Sequence, residues 1–260
     1  MIISTHNPLV KEIAVLREAK ARRQTGLAVI DGLMEIQRAA AAGVKIQKLI
    51  YCPALMEKSA ATALIGKTSV EVSEKVFRKL AYGQRADGFL ALARVFFKKS
   101  GDLKLSACAL VVVVESVEKP GNLGAILRTC DGAGVDALFI CDPKTDLFNP
   151  NVIRASMGMV FTVPFAVGSS RDILVFLKQK GIKILGAFPQ AKAVYSAVNL
   201  KSPLAVVLGR EDLGLSPFWQ KQCDIKVKIP MKGLADSLNV SVSAAIILYE
   251  SLRQRTCPLH

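Results

Sequence analysis

Histidine is nearly missing from this chain, with only His6 and His260 among 260 residues. A histidine-built metal site or a Ser-His-Asp triad therefore has almost no raw material. The six cysteines (Cys52, Cys108, Cys130, Cys141, Cys223 and Cys257) are scattered, form no C-x-x-C pair and have no histidine nearby. Several lie in apolar runs, which reads as buried free thiols in a reducing compartment rather than a disulfide framework. Long apolar stretches are missing too. Runs such as Ala107–Val114 are too short to span a bilayer, and the N-terminus lacks the apolar core of a secretory signal. No G-x-G-x-x-G follows a strand: Gly121-Asn-Leu-Gly124 and Gly132-Ala-Gly134 both leave the pattern unfinished, which sets aside a nicotinamide-binding Rossmann domain. These absences predict a soluble, cytoplasmic protein with no metal and no membrane association.

What the chain does have is positive charge, a formal net of +14. Residues 1–100 carry 17 Lys and Arg against 8 Asp and Glu, whereas residues 101–260 carry 18 against 13, so the surplus is denser in the first part. Clusters such as Lys20-Ala-Arg22-Arg23 and Lys98-Lys99 lie there. Any one cluster reads as a solvated helix face. The whole imbalance exceeds what solubility needs and points to a polyanionic partner.

Hydrophobic patterning divides the chain in two. Residues 1–95 read as a small α/β module: helical spacing from Pro8 to Arg23, a strand at Leu27–Ile30, a helix over Leu33–Ala42 and a strand at Ile46–Cys52. Further strands are expected at Val70–Val72 and Gly88–Ala93. Residues 96–106 have the composition of a linker. From Ala107 the rhythm is strand, polar loop, helix, opening with the β-branched run Leu110–Val114 of a strand buried on both faces. Expected elements follow at Gly121–Cys130 (helix), Ala137–Cys141 (strand), Pro150–Met157 (helix) and Asp172–Lys180 (helix). Strands at Ile182–Ala187, Leu204–Leu208 and Ile225–Ile229 and a helix at Ser241–Arg253 complete the series. Such alternation implies an α/β fold with a parallel sheet and helices on both faces.

Three segments join glycines to polar residues where strands stop or helices start, which is where α/β folds bind ligands. They are Asn122-Leu-Gly-Ala-Ile-Leu-Arg128-Thr129, Leu208-Gly-Arg-Glu211-Asp-Leu-Gly-Leu-Ser216, and Ile229-Pro-Met-Lys-Gly-Leu-Ala-Asp-Ser237-Leu-Asn239-Val-Ser241. Gly209, the Ile229-Pro-Met-Lys-Gly loop and Leu238 offer backbone groups and apolar walls suited to a small-molecule ligand. Arg128, on the first turns of a helix, offers a bidentate grip on phosphate. Glu211, Ser237 and Asn239 supply a carboxylate and two hydrogen-bonding groups. Each also has a plainer reading: Asn122 as a helix N-cap, Gly121 and Gly124 as turn residues, Arg128, Glu211 and Ser237 as surface groups. Their joint occurrence at these spacings favours a site.

Taken in order, the three segments resemble the motifs of the SpoU/TrmH family of RNA ribose 2′-O-methyltransferases: N-x-G-x-x-x-R-[ST/A], G-x-E-x-x-G-[LI] and I-P-M…S-L-N-V-[SA]. Arg154-Ala-Ser-Met-Gly158…Pro164 is similar to the stretch between the first two motifs, and Ser4…Asn7-Pro8…Lys11 through Gly88-Phe-Leu-Ala-Leu resembles the family's L30e-like RNA-binding module. Asp31-Gly32 departs from the Glu-Gly of related chains. The resemblance implies an L30e-like RNA-binding domain over residues 1–95 and a SPOUT methyltransferase domain over 107–260 with a deep trefoil knot. It implies S-adenosylmethionine as methyl donor, rRNA (with tRNA second) as substrate, and a homodimer whose active sites draw on both subunits. Carried over residue by residue, Asn122, Arg128, Glu211, Ser237 and Asn239 are catalytic, and Leu208, Gly209, Ile229, Met231 and Leu238 bind the donor. A guanidinium stays protonated in nearly any site, so Arg128 is expected to anchor phosphate and stabilise a developing alkoxide, the proton passing to Glu211 or water. The alternative is an RNA-binding protein that keeps the fold without turnover.

Overall fold

A computed structural model of the chain describes residues 1–56, 65, 66, 68–82, 87–97 and 99–256. Lys98, Cys257 and His260 lie outside them. The chain forms two compact units: residues 1–96 with 146–162, and residues 97–145 with 163–260.

In the first unit, α1 (Pro8–Val15) and α2 (Ala19–Thr25) lead into β1 (Leu27–Asp31) and α3 (Leu33–Ala41); β2 (Ile46–Tyr51), β3 (Ser69–Glu71), α4 (Glu74–Leu80) and β4 (Phe89–Arg94) follow. The sheet order is β1-β4-β2-β3, with β4 antiparallel to both neighbours and β3 parallel to β2. The single helix expected from Pro8 to Arg23 is broken at residues 16–18, where Glu18 is extended. The buried Arg22 guanidinium fills the break, Nη1 donating to Leu16 O at 2.6 Å and Arg17 O at 2.8 Å. Neither α4 nor the role of residues 146–162 was apparent from the sequence.

The second unit holds β5 (Leu110–Glu115), α5 (Pro120–Gly132) and β6 (Ala137–Cys141). The chain then passes through α6 (Pro150–Ala155), which belongs to the first unit, and returns as β7 (Phe165–Gly168), α7 (Ser170–Gln179), β8 (Lys183–Ala187) and β9 (Ala193–Val194). It ends with β10 (Leu204–Leu208), α8 (Pro217–Gln222), β11 (Ile225–Lys228) and α9 (Val240–Thr256). All paired strands are parallel, in the order β7-β6-β5-β10-β8-β11-β9. Every residue of β5 and β10 is buried, as expected of central strands covered on both faces. The short strands β7 and β9 and the one-turn α8 escaped the pattern, being too brief to show a period.

Within the linker expected over 96–106, Phe97 and Leu103 are packed: Leu103 is buried in the same apolar cluster as Val111, Phe139 and Trp219, and the Phe97 ring meets Phe165 edge-on at 6.3 Å. Cys52, Cys130 and Cys141 are buried and free, Cys223 is partly buried and Cys108 is exposed. Burial pushes the Cys141 thiol up to about 12, well away from thiolate reactivity. Among the described residues no helix is long and apolar enough to cross a membrane.

Candidate active site

β10 stands between β5 and β8 although it follows both by many residues, so its carboxyl end opens among loops from distant parts of the sequence. The loop after it reverses tightly. Arg210 N donates to Gly214 O and Gly214 N to Arg210 O, each at 3.0 Å. Gly209 lies against this reversal; a Cβ there would stand 2.1 Å from Gly214 O, so any side chain would force the backbone apart. The Arg210 guanidinium pairs with Asp212 at 3.0 Å and Glu118 at 3.3 Å, tying the loop to the segment before α5.

The reversal presents Glu211 to the start of α5. Its Oε1 accepts from Asn122 Nδ2 at 2.8 Å and from Lys119 N at 3.1 Å, and its Oε2 from Glu118 N at 3.3 Å. Lys119, the N-cap of α5, makes no side-chain capping bond, so a carboxylate from a distant loop serves the helix N-terminus and meets its positive dipole end. Burial opposes ionisation of Glu211, but the hydrogen bonds from Asn122 and the backbone outweigh it and hold the carboxyl below the usual range. Glu211 is thus held as an ionised acceptor with little affinity for a further proton, a poor base.

Asn122 is almost fully buried in the first turn of α5 and is not its N-cap; Gly121 and Gly124 are helical, not turn residues. Asn122 Oδ1 accepts from Asn239 Nδ2 at 3.0 Å. Asn239 Oδ1 in turn accepts from Ser241 N at 2.8 Å and Ser241 Oγ at 2.7 Å. Because a backbone N–H can only donate, the Ser241 contact fixes the orientation of the Asn239 amide, which fixes that of Asn122. The hydrogen bonds run one way, from Ser241 through Asn239 and Asn122 to Glu211.

A cavity of about 370 Å³ opens between the loops after β8, β10 and β11, a size suited to a small-molecule ligand. Leu208, Gly209, Ile229, Met231 and Leu238 all line it, as do Glu211 and Ser237. Ser237 makes no side-chain hydrogen bond among the described residues and is exposed at the cavity edge. Arg128 stands apart. It is the ninth residue of a helix that starts at Pro120, not on its first turns; it is exposed and has no polar partner among the described residues. Six residues from Asn122, it points about 120° away round the helix. The structure therefore joins Asn122, Glu211 and Asn239, places Ser237 and Glu211 on the cavity, and leaves Arg128 outside both groups. Sequence reasoning passed over Ser241 as a site residue. It also missed the cavity wall Phe188–Gln190, which a search of every strand's carboxyl end would have found.

Residues 109–249 match the SpoU rRNA methylase family, and residues 7–91 match the MRM3-like substrate binding domain. The chain is 28% identical to the 23S rRNA (guanosine(2553)-2′-O)-methyltransferase RlmP of Bacillus subtilis, over 95% of this chain and 97% of that one. Among solved structures it resembles an RNA 2′-O ribose methyltransferase at 38% identity, with a TM-score of 0.89, over 98% of this chain and 99% of the other. An AdoMet-bound rRNA methyltransferase from Sinorhizobium meliloti matches at 29% identity, with a TM-score of 0.88, over 99% and 98%.

Proposed function

Because this chain belongs to the SpoU rRNA methylase family, we propose that it methylates a ribose 2′-hydroxyl of ribosomal RNA, using S-adenosylmethionine. One observation carries the site assignment: the cavity lined by all five expected donor-binding residues adjoins the hydrogen-bonded chain from Ser241 to Glu211, and the two share Glu211.

The cavity suits the donor. Leu208, Leu215, Ile229 and Leu238 give apolar walls for an adenosyl group, and the loops around Gly209 and Met231 bring backbone donors and acceptors to its rim. When bound, S-adenosylmethionine supplies an electrophilic methyl on a sulfonium sulfur. The chain's own residues do the rest. Glu211 fixes the first turn of α5 against the loop of Gly209, so the wall of the cavity and Asn122 are set by one carboxylate. Asn122 and Asn239 each have a second amide hydrogen beyond the bonds described, available to a phosphate or ribose oxygen of the substrate. Ser237, at the cavity edge, contributes a hydroxyl to the same region. The ribose proton passes to water, since the carboxyl of Glu211 is held below the usual carboxylate range and is a poor base. Holding the sugar oxygen in line with the methyl is worth several kcal/mol of the barrier, about 7 or more in well-oriented cases.

Arg128 serves this site across a homodimer, each copy supplying its guanidinium to the other's substrate phosphate. What supports this is its exposure, its lack of a polar partner among the described residues, and its direction away from Asn122. The first unit, residues 1–96 with 146–162, acts as the L30e-like RNA-recognition domain, and the second, residues 97–145 with 163–260, as the catalytic domain. A knotted catalytic domain is part of the same reading; it is supported by the place of β10 between β5 and β8 and by the packing of α9 on α5. The enzyme works in the cytoplasm.

The test is incorporation of tritiated methyl from S-adenosylmethionine into 23S rRNA, with mapping of 2′-O-methyl positions. The expected result is a single protected ribose. Donor binding by calorimetry without any methyl incorporation into rRNA would end the reading.

A further inference from the structure

The four-stranded sheet of the first unit has two differently charged sides. On one, α1 and α4 lay Val10, Ile13, Leu16, Val76, Phe77 and Leu80 over Val29, Ile50, Leu90 and Leu92, with Ala21 of α2 at the margin. The alternate strand residues Ala28, Ile30, Leu49 and Ala91 are also buried but stand outside that cluster, hence on the opposite side. There α3 and α6 pack against β1.

On the α3 and α6 side the charges are spent internally. Arg22 pairs with Asp146 at 2.6 Å, Arg154 with Asp31 at 3.5 Å, and Arg38 donates to Met157 O. Asp87 accepts from Leu33 N at 2.6 Å. Residues 146–162 close this side with the chain's own backbone: Gly158 lies so near α3 that a Cβ would stand 3.1 Å from Glu35 Cα. The other side keeps its charges for solvent. Besides the buried Arg22, residues 8–25 and 74–80 hold seven Lys and Arg against three Glu. Lys11, Lys20, Arg23 and Lys75 are exposed and have no polar partner among the described residues. Arg17, just after α1, donates its Nη2 to Lys79 O at 2.8 Å and Ala81 O at 3.1 Å, so Lys11 of α1 and Lys75 of α4 stand on helices held together.

We infer that the α1–α4 side of the first unit, and not the side covered by α3 and α6, carries the phosphate backbone of the RNA substrate. The inference rests on the proposed RNA substrate and deepens it by assigning the surface. Fixed, unpaired cations over a packed helix pair suit a phosphodiester chain, whose binding is driven by release of condensed counterions. An acidic protein partner would meet the same charge and is separated by the test.

The experiment is filter binding of the full chain to 23S rRNA over a range of salt concentrations. Lys11→Ala/Lys75→Ala is compared with a charge-matched control in the second unit, Lys180→Ala/Lys183→Ala. These lysines are exposed, so melting temperatures should match wild type. The expected result is roughly tenfold weaker binding for the first pair, with the slope of log K against log salt shallower by about 1 per lost contact, and little change for the control. Equal losses in both variants would mean diffuse attraction without an assigned side, and unchanged binding in the first pair would leave this surface to another partner; either overturns the inference. Wild type that binds rRNA through this side but transfers no methyl would defeat the catalytic reading alone.

Discussion

Asn122 and Glu211, 89 positions apart in sequence, meet at 2.8 Å, the amide nitrogen of one on the carboxylate oxygen of the other. This bond joins the first turn of α5 to the loop after β10, and so couples the helix that carries Arg128 to the wall of the cavity. Glu211→Gln tests it. Replacing the ionised acceptor removes charge-assisted bonds worth about 1.5–3 kcal/mol, so kcat should fall roughly 10- to 100-fold. The pH dependence gives a second check. Glu211 has a lowered folded pKa, so its stabilisation is present above the ordinary carboxylate range and is lost as pH falls through the lowered value. Wild type should therefore lose stability on the acid side, and Glu211→Gln should lose less of it. An identical acid limb in thermal melts would remove Glu211 as an ionised anchor.

Gly209→Ala places a methyl 2.1 Å from Gly214 O, a clash only backbone movement relieves. Donor affinity measured by calorimetry should drop at least tenfold while RNA binding holds, because the first unit is untouched. Unchanged donor affinity would show that this loop does not shape the cavity.

Ser241→Ala deletes one of the two bonds that Asn239 Oδ1 accepts and leaves the backbone N–H alone to hold the amide. The loss should appear in kcat and not in donor affinity, with Ser241→Thr restoring much of it. A fall in melting temperature equal for Ala and Thr, without this split, would mark Ser241 as structural only.

Arg128→Lys keeps the charge and loses the two-pronged grip, so methyl transfer should fall more than tenfold with no change in melting temperature. Mixing Arg128→Ala with Glu211→Gln chains should recover activity if the arginine acts across a dimer. No recovery from co-expressed variants would place Arg128 in its own subunit's site.

Asp31 bears on the first unit. Burial pushes its carboxyl up to about 6, against the pull of Tyr82 N–H and Arg154. The folded state therefore holds this proton more tightly than the unfolded chain, so stability falls as pH rises between the ordinary carboxylate pKa and about 6. Asp31→Asn should flatten that part of the curve in melts followed from pH 4 to 7. Retention of the full slope would assign it to other groups, Glu35 among them, which burial also raises.

The run Leu110–Val114 announced a doubly covered strand because β-branched residues without alternation have no solvent face to serve, and β5 is such a strand. The same logic placed β6, β8, β10 and β11 within a residue or two. It failed for β7 and β9, whose few residues show no period, and for the helix expected through Arg17, where a buried guanidinium satisfies carbonyls that a continuing helix would have used. The polar residues of the site were legible one by one, but not their partners. Nothing near Glu211 in sequence says that it caps a helix beginning at Pro120, or that Asn122 would bond sideways instead of capping.

The sequence by itself determined the alternation of strands and helices, the excess of positive charge and the three motif segments, because periodicity, charge and residue type are properties of neighbours along the chain. Only the tertiary structure decided that residues 146–162 belong with the first unit and that β10 separates β5 from β8. It also decided that Ser241, Asn239, Asn122 and Glu211 form one directed chain of hydrogen bonds. Those outcomes depend on which distant backbones are packed within 3 Å of one another, and close approach between remote segments leaves no period in the sequence to read.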